Sequence, residues 1–179
     1  MSVGYIDPNG DGAMGAWVPV PDWPAYSRID DGTRQPDAPN TADYIKSTDA
    51  GPDPCTFYMT TLTVQSVSTI TVWIYAKYDG LATLTSNFST GSTYLGVWDV
   101  PVTGSWVWYS HTYSDVGWTQ AQLDDARLHF TGAVSGPSTL YIAAAYAEIT
   151  YTAGGGGNPD DGIIDGVLNG LIGGKLAEP

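Results

Sequence analysis

The chain has 179 residues, 42% hydrophobic and 12% aromatic, enough apolar surface for one domain with a buried core and too much for a wholly disordered polypeptide. Only 14% of residues are charged, and the excess of acidic side chains gives a formal charge of -13 at pH 7, a field that repels nucleic-acid phosphates and anionic lipid surfaces. Cys55 is the single cysteine, which excludes an intrachain disulfide and a cysteine-based zinc cluster within one chain, and no apolar run is long enough to span a membrane as a helix.

Residues 1–25 are rich in Gly, Pro and Asp, and Pro8, Pro19, Pro21 and Pro24 oppose regular helix and demote strands, so an extended N-terminal arm is expected. The start of the chain has no basic region, apolar core and small-residue cleavage site in succession, so no secretory signal is expected there. Within this stretch DPNGDG places Asp7, Asn9 and Asp11 at the alternate positions that open a calcium loop. Val18 occupies the place of the bidentate glutamate, which excludes a complete EF-hand loop. An irregular Ca2+ site and an ordinary solvated turn are the two remaining readings, the second favoured, and no other cofactor is expected.

The expected domain spans residues 26–153. Short edge strands are predicted at 26–29 and 44–45, flanking a turn-rich stretch whose Asp30, Asp31, Asp37 and Asp43 read as a solvated acidic loop. From 55 to 152 the chain is dense in Thr, Val, Ile, Tyr and Trp, and its hydrophobic period is 2. In TITVWIYAKY, Ile70, Val72, Ile74 and Ala76 point to one face, predicted to be the core, and Thr71, Trp73, Tyr75 and Lys77 to the other. Further strands are predicted at 57–64, 81–86, 94–100, 106–113, 126–131 and 140–151, separated by Gly, Asp or Pro. Many short strands so punctuated predict an all-β fold, an antiparallel β-sandwich of jelly-roll type. One short helix interrupts them: in WTQAQLDD, Thr119 and Gln122 have capping-box spacing, and Trp118 and Leu123 are expected to close one end of the core.

Residues 154–159 read as a glycine-rich linker and 160–179 as an amphipathic helix or tail. There Ile163, Ile164, Val167, Leu168, Leu171 and Ile172 form an apolar stripe beside glycines repeating every fourth residue. Each interior glycine costs roughly 1 kcal/mol relative to alanine, so the segment needs a partner to fold against and is assigned to assembly. A membrane-surface role is disfavoured because Asp165 and Asn169 stand where such helices carry Lys and Arg.

Catalysis has little support. His111 and His129 lie in predicted strands without a nucleophile or metalloprotease motif nearby, and both read as structural. The aromatic residues offer more: Trp73 and Tyr75 lie opposite the predicted core, and Trp106 and Trp108 share a face, so a platform for a glycan or for another subunit is available. Burial of those rings by neighbouring subunits or by the N-terminal arm is the competing reading.

The segments GAW (15–17), YSRIDD (26–31), NTADYIKS (40–47), GWTQAQLDDARLHF (117–130) and LYIAAAYAEITY (140–151) together resemble a β-sandwich module frequent in bacteriophage minor tail, fibre and head-decoration proteins. Such modules are similar to carbohydrate-binding jelly rolls, and the resemblance covers about residues 15–152. It implies a non-enzymatic structural protein of the virion, made in the host cytoplasm and released by lysis, held by its terminal segments to other virion proteins and to copies of itself. The alternative is an adhesion module binding a cell-surface carbohydrate. Neither reading involves nucleic acid.

Overall fold

The structure, a computed structural model, describes residues 1–30 and 32–153. The expected linker and the apolar stripe from Ile163 to Ile172 lie outside the described residues. Within them the chain forms strands β1 (Ser2–Ile6), β2 (Pro8–Asp11), β3 (Val18–Val20), β4 (Tyr44–Ser47), β5 (Asp53–Met59), β6 (Ser66–Ser89), β7 (Tyr94–Val100), β8 (Val107–Tyr113) and β9 (Arg127–Thr152), with one helix, α1 (Gln120–Asp124), between β8 and β9.

The spine is a long antiparallel pair. β6 and β9 hydrogen-bond from Ser66 opposite Thr152 to Ser89 opposite Arg127, with a register shift between Asp79 and Leu81. Gly80 (φ 93°) and Gly136 (φ 64°) take the left-handed backbone conformation at that shift. Ser138 Oγ accepts the Leu81 amide at 2.9 Å, and a Cβ at Gly80 would collide with that hydroxyl. The two ribbons therefore bend together without breaking, and each half recruits its own neighbours. Residues 66–79 and 139–152 pair outward with β8, β1 and β4, and β3 adds to β4. Residues 81–89 and 127–135 pair outward with β7 and β5, and β2 adds to β5. We call these halves the first and second sheets.

The inner faces of the two sheets share one core. Ile70, Val72, Ile74 and Ala76 are fully buried, as their alternation predicts, and they join Leu84, Phe88, Leu128, Phe130, Leu140 and Ile142 in a single apolar cluster. The helix covers one end of it: Trp118 and Leu123 are buried, and Trp118 stacks on Phe88 with ring centroids 5.8 Å apart. The Thr119 amide donates to Gln122 Oε1 at 3.0 Å, closing one arm of the expected capping box. The predicted antiparallel β-sandwich is the observed fold.

Several boundaries differ from expectation, each for a physical reason. Residues 1–25 are woven into the sheets, not extended as an arm: β1 pairs with β9 from Ser2 opposite Tyr151 to Ile6 opposite Ala147, and Ile6 and Trp17 are core residues. The prolines are compatible with this because Pro8 opens β2 and Pro19 sits in β3, both outermost strands, where a missing amide donor need not break a ladder. Residues 26–28 form a 3-10 turn where a strand was expected, because the Asp11 carboxylate accepts the amides of Ala25 and Tyr26 at 2.9 and 2.6 Å and fixes its start. β4 is an interior strand between β3 and β9, not an edge. The strands expected at 126–131 and 140–151 are one, as are the TITVWIYAKY run (69–78) and the strand at 81–86, because a glycine bulge turns a strand without ending it.

Trp17 shows how the N-terminal segment is held. Its indole Nε1 donates to the Asp53 carbonyl at 2.7 Å, and its ring fills the space beside Gly132, where a Cβ would lie 2.8 Å from it. Trp17→Ala should lower unfolding free energy by about 3–5 kcal/mol, the usual range for truncating a buried tryptophan. Chemical denaturation of the full chain checks this; a change under about 1 kcal/mol would mean that residues 1–25 are an appendage after all.

Candidate functional site

The outer face of the first sheet carries the predicted aromatic residues. Strand pairing places Tyr75 opposite Trp108 on one side and Ala144 on the other, and Trp73 opposite Ser110 and Tyr146. Trp106, just before β8, reaches the same face. Tyr75 stacks on Trp106 (5.5 Å, 9°) and leans on Trp108 (5.1 Å, 49°), while Trp73 stacks on Tyr146 (6.1 Å, 15°). The structure therefore brings all four predicted residues together, but as a packed cluster. Tyr75 is buried, and Trp73, Trp106 and Trp108 are each partly covered.

A segment of the chain supplies that cover. Trp108 Nε1 donates to the Asp37 carbonyl at 2.8 Å, and the Gln35 amide donates to the Tyr146 hydroxyl at 3.3 Å. The Arg34 guanidinium lies 4.4 Å from the Tyr146 ring centroid and 5.3 Å from that of Tyr5, and its Nη2 pairs with Asp7 Oδ2 at 2.6 Å. Lys77 sits over Tyr141 and Trp106 at 4.9 and 5.6 Å. The rings spend their faces on one another and on two cations, which leaves little free π-surface for a ligand.

Of the DPNGDG residues, Asp7 holds Arg34, Asp11 caps the 3-10 turn, and Asn9 is exposed on β2. The segment is an extended strand paired with β5, not a loop curled around an ion. Among the described residues no group of three or more His, Cys, Asp or Glu side chains is placed to hold a metal.

The second sheet's outer face has a different chemistry. Cross-strand pairing builds a row Thr56–His129–Asn87–Val97 and, beside it, a row Pro54–Thr131–Thr85–Asp99. His129 is fixed from both ring nitrogens: Nδ1 meets Thr56 Oγ1 at 3.0 Å and Nε2 meets Ser89 Oγ at 2.6 Å. Burial, and then the neighbouring Arg127 charge, lower its pKa, so the ring is neutral at pH 7. The Tyr94 ring stands over this floor, 5.5 Å from the His129 ring and 64% exposed. Tyr94, His129 and Thr56 line a groove of about 240 Å³ that also takes in Thr85, Asn87, Val97 and Thr131. Asn87 Oδ1 is buried there without a protein partner.

Sequence reasoning missed this groove. It named His129 only as structural, and it left Asn87, Tyr94, Thr85 and Thr131 unremarked, because polar residues on alternate positions of a strand are what any solvated face shows. The one available signal was Tyr94, a large aromatic residue at the start of a predicted strand. The groove's catalytic potential is small. Ser89 and Thr56 flank His129, yet no carboxylate orients that ring, and the lining holds no carboxyl pair of the kind glycoside hydrolysis uses. His111, on the inner side of β8, stacks on Trp98 at 5.5 Å and meets Tyr113 edge-on at 4.6 Å.

No protein-family model matches the chain, and no curated protein does. Solved structures are similar at low identity. One is a carbohydrate binding module from Cellvibrio mixtus lichenase 5A in complex with cellotriose, 12% identical over 84% of this chain and 98% of that one, with a TM-score of 0.45. Another is the CBM35 of Paenibacillus barcinonensis, 12% identical over 86% of this chain and all of that one (100%), with a TM-score of 0.42. A third is the enzymatically active domain of bacteriophage CBA120 tailspike protein 4, 11% identical over 82% of this chain but 19% of that one, with a TM-score of 0.45.

Two outcomes follow from the two faces. Tyr75→Ala should destabilise the fold by about 3 kcal/mol, as removal of a buried aromatic ring does, and a change within about 0.5 kcal/mol in thermal or chemical unfolding would show that the cluster is not packed. His129 gives a pH signature. Its folded pKa lies below the unfolded value near 6.5, so below that pH the unfolded chain takes up a proton that the folded chain refuses. Its contribution to stability is full above about pH 6.5 and is lost as pH falls toward the folded pKa. Denaturation curves of wild type and His129→Gln across pH 4–7 should differ in slope; parallel curves would contradict the assignment.

Proposed function

We propose that this chain is a carbohydrate-binding module that recognises a cell-surface glycan through the groove on its second sheet. What supports the reading is one juxtaposition: an exposed tyrosine ring standing over a floor of uncharged hydrogen-bonding groups. A pyranose has the complementary make-up, an apolar C–H face and a rim of hydroxyls. The face stacks on Tyr94, and the hydroxyls meet Thr85 and Thr131. The first-sheet cluster is the weaker candidate because its rings are already stacked and strapped.

A place on a phage particle rests on the resemblance drawn from the sequence. A glycan groove would serve a displayed virion module as an adhesion surface, with residues 160–179 left for attachment to other virion proteins or to copies of itself.

The test is a glycan array with the full chain, followed by calorimetry on the best ligand. Tyr94→Ala should weaken binding at least tenfold, about 1.4 kcal/mol, and Tyr94→Phe should retain most of it. Absence of any glycan ligand, or indifference of the affinity to Tyr94→Ala, would overturn the proposal.

A further inference from the structure

We propose that the ligand is an uncharged glycan chain bound through its interior along β6, not through one terminal sugar; this rests on the groove being the carbohydrate site. The groove does not stop at Thr85. A second depression of about 420 Å³ shares Thr85 with it and adds Thr83, Asp99 and Pro101, and a third of about 340 Å³ shares Thr83 and adds Leu81, Ala133 and Ser135. Leu81, Thr83, Thr85 and Asn87 alternate outward on one strand, so successive side chains in the trough stand about 6.6 Å apart and the row from Leu81 to Asn87 is about 20 Å long. Both ends are open to solvent: Leu81 is 68% exposed and Tyr94 64%. A trough of that length with two open ends lets a polymer enter and leave, whereas a terminal sugar is gripped by a closed end.

The charge of the trough selects among polymers. Across the three linings Asp99 is the one charged side chain, and no Lys or Arg is present. Arg127, two residues before His129 on β9, is paired with Asp125 at 2.9 Å and lies over the Tyr58 ring at 5.3 Å. An anionic sugar would give up hydration, find no cation and face a carboxylate in a chain of formal charge -13. A neutral chain meets no such repulsion and can donate hydroxyl protons to the threonine oxygens.

Calorimetry on the full chain with a neutral oligosaccharide series, from monosaccharide to hexasaccharide of the preferred linkage, reads the first half of the proposal. Affinity should rise at least tenfold from mono- to tetrasaccharide and then level off. A uronic-acid chain of the same linkage should bind at least tenfold more weakly at low salt, and Asp99→Asn should narrow that gap at least threefold. Equal affinity for mono- and tetrasaccharide, or equal affinity for the acidic and neutral chains, would overturn the inference. The parallel Tyr94→Ala measurement separates the two levels: loss of binding without length or charge dependence keeps the site and discards this inference, while indifference to Tyr94→Ala discards the site itself.

Discussion

Everything in this fold depends on the bend shared by β6 and β9. Two strands of this length, hydrogen-bonded from end to end, would give a flat ribbon with two exposed apolar faces. Opposed bulges at Gly80 and Gly136–Ser138 turn both strands at the same level, so the ribbon's ends form neighbouring sheets that share one core. The ladder skips Gly80 and residues 136–138 at the turn and resumes beyond it with the same two strands, and the sandwich is in this sense one folded sheet. The bend also decides which residues face outward on each half, and so creates two outer surfaces of different chemistry from the same pair of strands.

Those surfaces divide the work. On the first sheet, aromatic residues on adjacent strands fall opposite one another and stack, and aromatic contacts are worth about 0.5–1.5 kcal/mol beyond the area they bury. The segment carrying Arg34, Gln35 and Asp37 crosses over them and is fastened by hydrogen bonds and cation–π contacts. Trp73 Nε1 is left buried without a partner, a cost of about 1–3 kcal/mol that the stacking has to outweigh. Such a face stabilises the fold. On the second sheet the outward positions hold threonines, Asn87 and His129, which bury little apolar area, and the Thr85 and Thr131 side chains line the groove.

The legible parts of the sequence were those in which local pattern decides the outcome. Alternation in TITVWIYAKY assigned Ile70, Val72, Ile74 and Ala76 to the core and sent Trp73 and Tyr75 outward, and the Thr119–Gln122 spacing located the helix. The illegible parts depend on which strand lies next to which. Proline-rich residues 1–25 looked like an arm because proline is read locally as a strand breaker, while edge pairing by β2 and β3 is a tertiary fact. The same holds for the site. Thr56, Asn87, Thr131 and Tyr94 come from β5, β6, β9 and β7, and nothing in any one strand announces their convergence.

The placement of charge links fold to function. Basic residues are few in this chain, and the structure uses Arg34 and Lys77 over first-sheet rings, Arg28 against Asp22, and Arg127 against Asp125. These four cations are each committed near a carboxylate or ring, and no Lys or Arg is among the residues that line the second-sheet trough. A surface meant for nucleic acid or for an acidic polymer would concentrate free Arg and Lys where the ligand lies. Here the trough is almost uncharged, and His129 is kept neutral by burial and by Arg127. The proposed recognition of a neutral sugar there would draw on ring stacking and hydroxyl hydrogen bonds, the two interactions that a strongly acidic protein can offer it without electrostatic penalty.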